Sequence, residues 1–240
     1  MKLIPKNLLY YCLTLFLFWA AALLIWAIYG YEGSFLLLNK HYFDIGDAIF
    51  PYLTHLGDGI LLASIVAFVM AGKDNVGIFC LVYALLLGML VMYTLKIGFF
   101  DHCFRPPVIF GKENIHYITL QGEVNNSFPS GHSLSATVVC TYIAFFAGKK
   151  QPLWGVFAAL FAVLLCYTRL YIGVHFLGDI VTGSIIGFGV AILPLYFLYG
   201  LLEIKYKDIS VAAERYISLV LWAVAGVIMS LGFLYRVAHF

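Results

Sequence analysis

The chain has 240 residues, of which 63% are hydrophobic and 11% charged, against the roughly 45–50% apolar and ~25% charged of ordinary soluble domains. That composition excludes a soluble globular domain and points to a membrane protein. The formal net charge of +2, spread over scattered lysines and arginines, excludes a nucleic-acid partner read by a basic face.

Apolar runs near the ~20 residues that cross a bilayer predict an all-α, polytopic bundle. It has six core spans and a seventh at the C-terminal end. The first runs from about Leu8 to Tyr29. Lys2 and Lys6 precede it as in a secretory signal, but the run is longer than the ~7–15 residues of a signal core, so it reads as an uncleaved span. The others run from about Leu56 to Ala71, Val76 to Phe99, His132 to Ala147, Leu153 to Leu170, Asp179 to Leu202 and Ile217 to Tyr235. The segment Tyr31 to His55 mixes Tyr42, Phe43, Phe50 and Tyr52 with Asp44 and Asp47, which suits an amphipathic piece at headgroup level. Asp101 to Phe128 is long for a helix connection, and such loops are commonly functional. No internal repeat marks a boundary, so residues 1–240 read as one membrane-embedded domain with its motifs in 76–202. Of the five cysteines, Cys12, Cys80, Cys140 and Cys166 lie within apolar runs and Cys103 does not; no disulfide framework is indicated.

Lysine and arginine placement gives orientation. With a cytoplasmic N-terminus, Lys2, Lys6, Lys73, Lys149, Lys150, Lys205, Lys207 and Arg215 fall inside, while Lys40, Lys96, Arg105, Lys112, Arg169 and Arg236 fall outside. Three of the outer six, Lys96, Arg105 and Arg169, belong to the polar cluster described next. The expected location is the inner (plasma) membrane, with that cluster facing the periplasm or cell exterior.

Ionisable groups beside a bilayer are costly, so where they gather a function is expected. Arg169-x5-His175-x3-Asp179 spans the end of the fifth run and the start of the sixth. Four residues apart, Asp179 and His175 share a face, and the carboxylate can hold one imidazole nitrogen while the other is left as a nucleophile or base. The pair would equally serve as a plain helix cap. Arg169 offers a planar fork for phosphate, or a headgroup anchor. In Phe128-Pro129-Ser130-Gly131-His132, Ser130 can cap the fourth helix and Gly131 lets backbone N–H groups approach an anion, with His132 placed to protonate a leaving oxygen. Lys96 and Arg105, ahead of Pro106-Pro107, add cations of the kind phosphoryl transfer uses. The prolines are expected to stop a helix and set Arg105 just outside the bilayer. His102, His132, His175 and Asp179 are metal-ligand types, but no HExxH or paired-carboxylate pattern accompanies them and the cations would compete with a metal, so no metal is expected.

Together these elements resemble the type 2 phosphatidic acid phosphatase superfamily of integral membrane lipid phosphatases, whose pattern is a lysine six residues before Arg-Pro, then Pro-Ser-Gly-His, then Ser-Arg-x5-His-x3-Asp. The resemblance covers Lys96 to Asp179. It implies that His175 attacks phosphorus to give a phosphohistidine, that Asp179 orients it, and that His132 donates the leaving-group proton. Arg105, Arg169, Ser130 and the Gly131 backbone would hold the phosphoryl oxygens, with no metal or other cofactor. Two departures stand out: Thr168 replaces the pattern's serine, and eight residues separate Lys96 from Arg105, so Gly98 occupies the pattern's lysine position.

The implied activity is hydrolysis of a phosphomonoester or diphosphate of a lipid such as lipid A, undecaprenyl diphosphate, phosphatidylglycerol phosphate or phosphatidic acid. The partner is then the membrane lipid itself, with no nucleic acid and no obligate protein partner. Lipid-to-lipid phosphotransfer at the same site and a non-enzymatic protein on the same scaffold are the alternatives. Gly183-x3-Gly187 predicts close packing of the sixth helix, a structural feature in its own right.

Overall fold

A computed structural model describes residues 6–118, 125–147 and 151–238, with side chains as far as Tyr235. Lys2, Lys149 and Lys150 of the orientation argument lie outside the described residues, as does the side chain of Arg236. The fold is all-α, with no strand among the described residues. Its helices are α1 (Lys6–Asn39), α2 (Asp44–Leu53), α3 (Ile60–Met70), α4 (Asn75–Gly98), α5 (Pro106–Phe110), α6 (Gly131–Phe146), α7 (Leu153–Tyr171), α8 (Leu177–Phe197), α9 (Tyr199–Lys207) and α10 (Val211–Ala238).

Five helical stretches among the described residues are long and apolar enough to cross a membrane: α1, α4, α7, α8 continuing into α9, and α10. Their outward faces carry large bare apolar side chains, among them Leu17, Leu24, Met89 and Leu231. In water such surfaces would associate or aggregate; against acyl chains they are the ordinary exterior. α6 is shorter, at 16 residues, and it is the most enclosed helix, packed between α7 and α8 with α4 and α1 alongside. Its interior position explains its unusual content of small polar residues. Thr137 Oγ1 donates to Ser184 Oγ at 3.0 Å, and Thr141 Oγ1 to the hydroxyl of Tyr11 at 3.1 Å, so the hydroxyls are paired within the bundle instead of facing lipid.

Three expectations need correction. The second apolar run is not one straight span from Leu56. Thr54–Asp58 is a 3-10 turn, Gly59 follows with φ +87°, and only 11 residues of α3 remain; the axis bends by 68° between α2 with this turn and α3. If that bent pair is counted as one span the total becomes six. The first span does not end at Tyr29: Tyr31–Asn39, the beginning of the segment expected at headgroup level, continues α1 beyond a break at Gly30, where φ is +70°. Pro106 and Pro107 do not stop a helix: α4 has already ended at Gly98, and the prolines occupy the first turn of α5 with Arg105 before it. That placement is where a missing N–H and a fixed φ are tolerated best.

The Gly183-x3-Gly187 expectation holds. A side chain at Gly183 would strike the carbonyl of Ser130, and one at Gly187 the carbonyl of Leu134. These two glycines therefore let the α8 backbone lie against α6. The contact fixes the N-terminus of α6 beside the N-terminal turn of α8, where the motif residues meet.

Candidate active site

The site begins with the start of α8. Leu177–Phe197 opens after Phe176, whose N–H donates to Asp179 Oδ2 at 3.0 Å. The capping role is thus present, and the same carboxylate has further partners. His175 Nδ1 lies 3.1 Å from Asp179 Oδ2, with both side chains buried. Ser127 Oγ donates to Oδ2 at 2.6 Å, and the Tyr31 hydroxyl donates to Oδ1. Because a carboxylate only accepts, Nδ1 carries the imidazole proton and Nε2 holds the lone pair. A helix cap alone has no use for Ser127 and Tyr31; a carboxylate held on several sides orients the ring it touches.

Arg105, Arg169 and Lys96 act electrostatically on His175. Burial first, then these positive charges, hold its pKa well below the ordinary histidine value. His175 lies in the connection between α7 and α8, so at neutral pH it is uncharged and nucleophilic.

The cations are themselves positioned. Arg169, in the last turn of α7, is 1% exposed and donates through an Nη to Thr54 Oγ1 at 3.0 Å. Arg105 is 4% exposed, with Nε donating to the carbonyl of Asn125 at 3.2 Å. Guanidinium groups this deeply placed lose hydration, a cost that pairing with an anion offsets. Lys96 Nζ donates to the carbonyl of Asn126 at 2.7 Å. Its displaced spacing is accommodated because the chain leaves the helix at Gly98 and turns through 101–102 before Arg105. Lys96 and Arg105 consequently grip successive carbonyls of one strand of chain, immediately before Ser127.

That strand leads into α6. Ser130 caps the helix, its Oγ accepting from the N–H of Ser133 at 3.4 Å, and its own N–H donates to the carbonyl of Asp179 at 3.1 Å. Gly131 opens the helix, and His132 follows, partly buried, with Arg169, His175, His55 and Arg105 as electrostatic neighbours. Gly57 of the 3-10 turn packs on His132, and its carbonyl accepts from Ser135 Oγ at 2.5 Å.

All eight sequence-predicted residues, Lys96, Arg105, Ser130, Gly131, His132, Arg169, His175 and Asp179, therefore lie around the meeting point of the α6 and α8 N-termini. Three contributors were not assigned from sequence. Ser127 stands within the motif stretch and gives a local hint in retrospect. Tyr31 and Thr54 give none: Tyr31 is 148 residues from the carboxylate it holds and Thr54 is 115 from Arg169, so only tertiary packing brings them in.

A family model described as the PAP2 superfamily matches residues 77–203. Phosphatidylglycerophosphatase B of Bacillus subtilis (strain 168) is 36% identical over 98 residues, 38% of this chain and 46% of that protein. The chain thus spans about half the length of the curated relative it matches. Among solved structures, Aquifex aeolicus LpxE is similar with a TM-score of 0.59 and 25% identity, over 68% of this chain and 93% of that one. The first transmembrane PAP2-type phosphatidylglycerolphosphate phosphatase from Bacillus subtilis is similar in fold, with a TM-score of 0.52 and 21% identity, over 84% and 100%.

Proposed function

The chain belongs to the PAP2 superfamily, and from that premise we propose that it is a membrane lipid phosphatase working through a phosphohistidine at His175. The observation that carries this reading is the buried His175–Asp179 pair under the charge of Arg105, Arg169 and Lys96. A neutral imidazole surrounded by cations is poorly suited to bind a metal and well suited to meet a phosphate.

In the first step the Nε2 lone pair attacks phosphorus in line with the lipid oxygen. The N–P bond forms as the P–O bond breaks, and His132, which takes up a proton when the negative phosphate offsets the neighbouring cations, gives that proton to the departing oxygen. Asp179 stabilises the positive charge that develops on the ring, and the guanidinium groups with the Ser130–Gly131 turn take the charge on the equatorial oxygens. In the second step neutral His132 accepts a proton from water, whose oxygen attacks phosphorus. The P–N bond breaks, releasing inorganic phosphate and restoring His175.

The substrate we propose is a lipid phosphomonoester or diphosphate presented from the leaflet on the side of the site. Similarity to phosphatidylglycerophosphatase B makes phosphatidylglycerol phosphate the first to test, beside phosphatidic acid, undecaprenyl diphosphate and lipid A. The orientation we propose, with the site on the non-cytoplasmic face of the inner membrane, is supported by the excess of lysine and arginine on the opposite side. Phosphate release over this panel, with chelator and with His175→Ala protein, tests the proposal. Release that is indifferent to chelator and lost in the variant is expected; undiminished release from His175→Ala protein, or loss with chelator, contradicts it. A phosphorylated lipid product formed without free phosphate would assign transfer in place of hydrolysis.

A further inference from the structure

Beside the site is a cavity of about 980 Å³, at the upper end of the ~300–1,000 Å³ of small-molecule sites. Its wall is apolar: Leu56, Ile65, Met229 and Phe233 line it, from the 3-10 turn, α3 and α10. Tyr52, His55 and Ser230 are its polar lining residues. The residues matched by the family model, 77–203, contribute nothing to this lining.

The cavity and the phosphate site share one structural element. Thr54 holds Arg169, Gly57 packs on His132, and His55, between them, faces the cavity and is an electrostatic neighbour of His132. A molecule whose phosphate sits among Arg105, Arg169 and His132 therefore has an apolar chamber one residue away. That chamber lies at the ends of α3 and α10 nearest the site. α10 packs chiefly on α3 and is otherwise bare toward the membrane, so the chamber is walled on that side by a helix peripheral to the bundle.

Resting on the phosphatase reading, we infer that this cavity takes the hydrocarbon chains of the substrate lipid and selects among lipids by the length and bulk of those chains. A chain entering it leaves one apolar medium for another and gains little by transfer alone. What the cavity supplies is shape: it fixes the chain relative to the phosphate, so the fit decides which lipids reach His175 in a productive pose. The chemistry is shared by all substrates of the bundle, whereas the discrimination resides in α2, the 3-10 turn, α3 and α10.

Two arms test this. Hexadecyl phosphonate bearing a terminal photoactivatable group cannot be hydrolysed, and is applied to the whole protein in phosphatidylcholine nanodiscs. Crosslinks should map to 48–65 and 229–233, and fall about tenfold with Ser230→Trp, which fills the cavity from α10, or with excess vanadate. Equal labelling by the same probe lacking the phosphonate would identify bulk membrane lipid as the occupant and overturn the inference, as would crosslinks elsewhere on the bundle. In the kinetic arm, Ala48→Trp and Ser230→Trp should each lower kcat/KM for hexadecyl phosphate about tenfold while leaving octyl phosphate within about twofold. Equal loss for both chains, or loss for neither, overturns it. Should the wild-type protein hydrolyse no lipid phosphate, the phosphatase reading fails, and the crosslinks still decide the occupancy of the cavity.

Discussion

The Asp179 carboxylate is held by Tyr31 on one oxygen and by Ser127, Phe176 and His175 on the other. A hydrogen bond to a charged group contributes about 1.5–3 kcal/mol. Tyr31 hydrogen-bonds Asp179 and would act through it, so it is a positioning residue. Tyr31→Phe keeps the ring, stacked on Phe176 with centroids 4.5 Å apart, and removes only the hydroxyl. We expect kcat to fall roughly 10–100-fold with KM nearly unchanged, since the cations proposed to bind phosphate are untouched. A comparable rise in KM would point to general disruption instead. His175 itself governs the acid side of the pH profile. Its folded pKa lies below the ~6.5 of an unfolded histidine, so between the two values the unfolded chain carries a proton that the folded chain does not. Stability is therefore full above ~6.5 and declines as pH falls toward the folded value. The nucleophile stays neutral over that same window, so kcat/KM should remain high below pH ~6.5 and fall only further to the acid side; an acid limb at or above that pH would contradict the assignment.

At the scale of elements, the α6–α8 contact is what assembles the motifs. Both glycines of Gly183-x3-Gly187 meet backbone carbonyls of α6, and a carbonyl cannot rotate aside as a side chain can. Gly187→Val should destabilise the protein by about 1–3 kcal/mol, seen as a lower Tm in detergent, and should reduce activity by separating Ser130 from Asp179. An unchanged Tm would mean that the helices are held elsewhere. Much of this level was legible from sequence. The glycine spacing, the Ser130 cap and the i,i+4 relation of His175 to Asp179 are local, and local patterns survive folding. The bend between α2 and α3 was marked in the chain by Gly57-Asp58-Gly59, a turn signal, but it adjoins the apolar run from Ile60, and a run of that kind reads as a single span when only its hydrophobicity is weighed. The prolines after Arg105 were ambiguous for a related reason: a proline pair ends one helix as readily as it begins another, and only the earlier exit at Gly98 decides between them.

For the whole molecule, the arrangement is a core packed around α6 that holds the proposed catalytic residues, with α2, α3 and α10 at its side lining the cavity next to it. The apolar composition announced the membrane, and the cations gathered near one end of the bundle announced a phosphate. Tyr31, Thr54 and the cavity could not be read from the chain, since each depends on segments more than a hundred residues apart meeting in space. The proposed mechanism requires a covalent bond between His175 and phosphorus. Rapid quenching of the protein with radiolabelled phosphatidylglycerol phosphate should trap a protein-bound phosphate that survives alkali, is lost in acid, maps to His175 and is absent from His175→Ala protein. Labelled protein of unchanged yield in that variant, or rapid turnover of the substrate with no bound phosphate at any quench time, would contradict the mechanism.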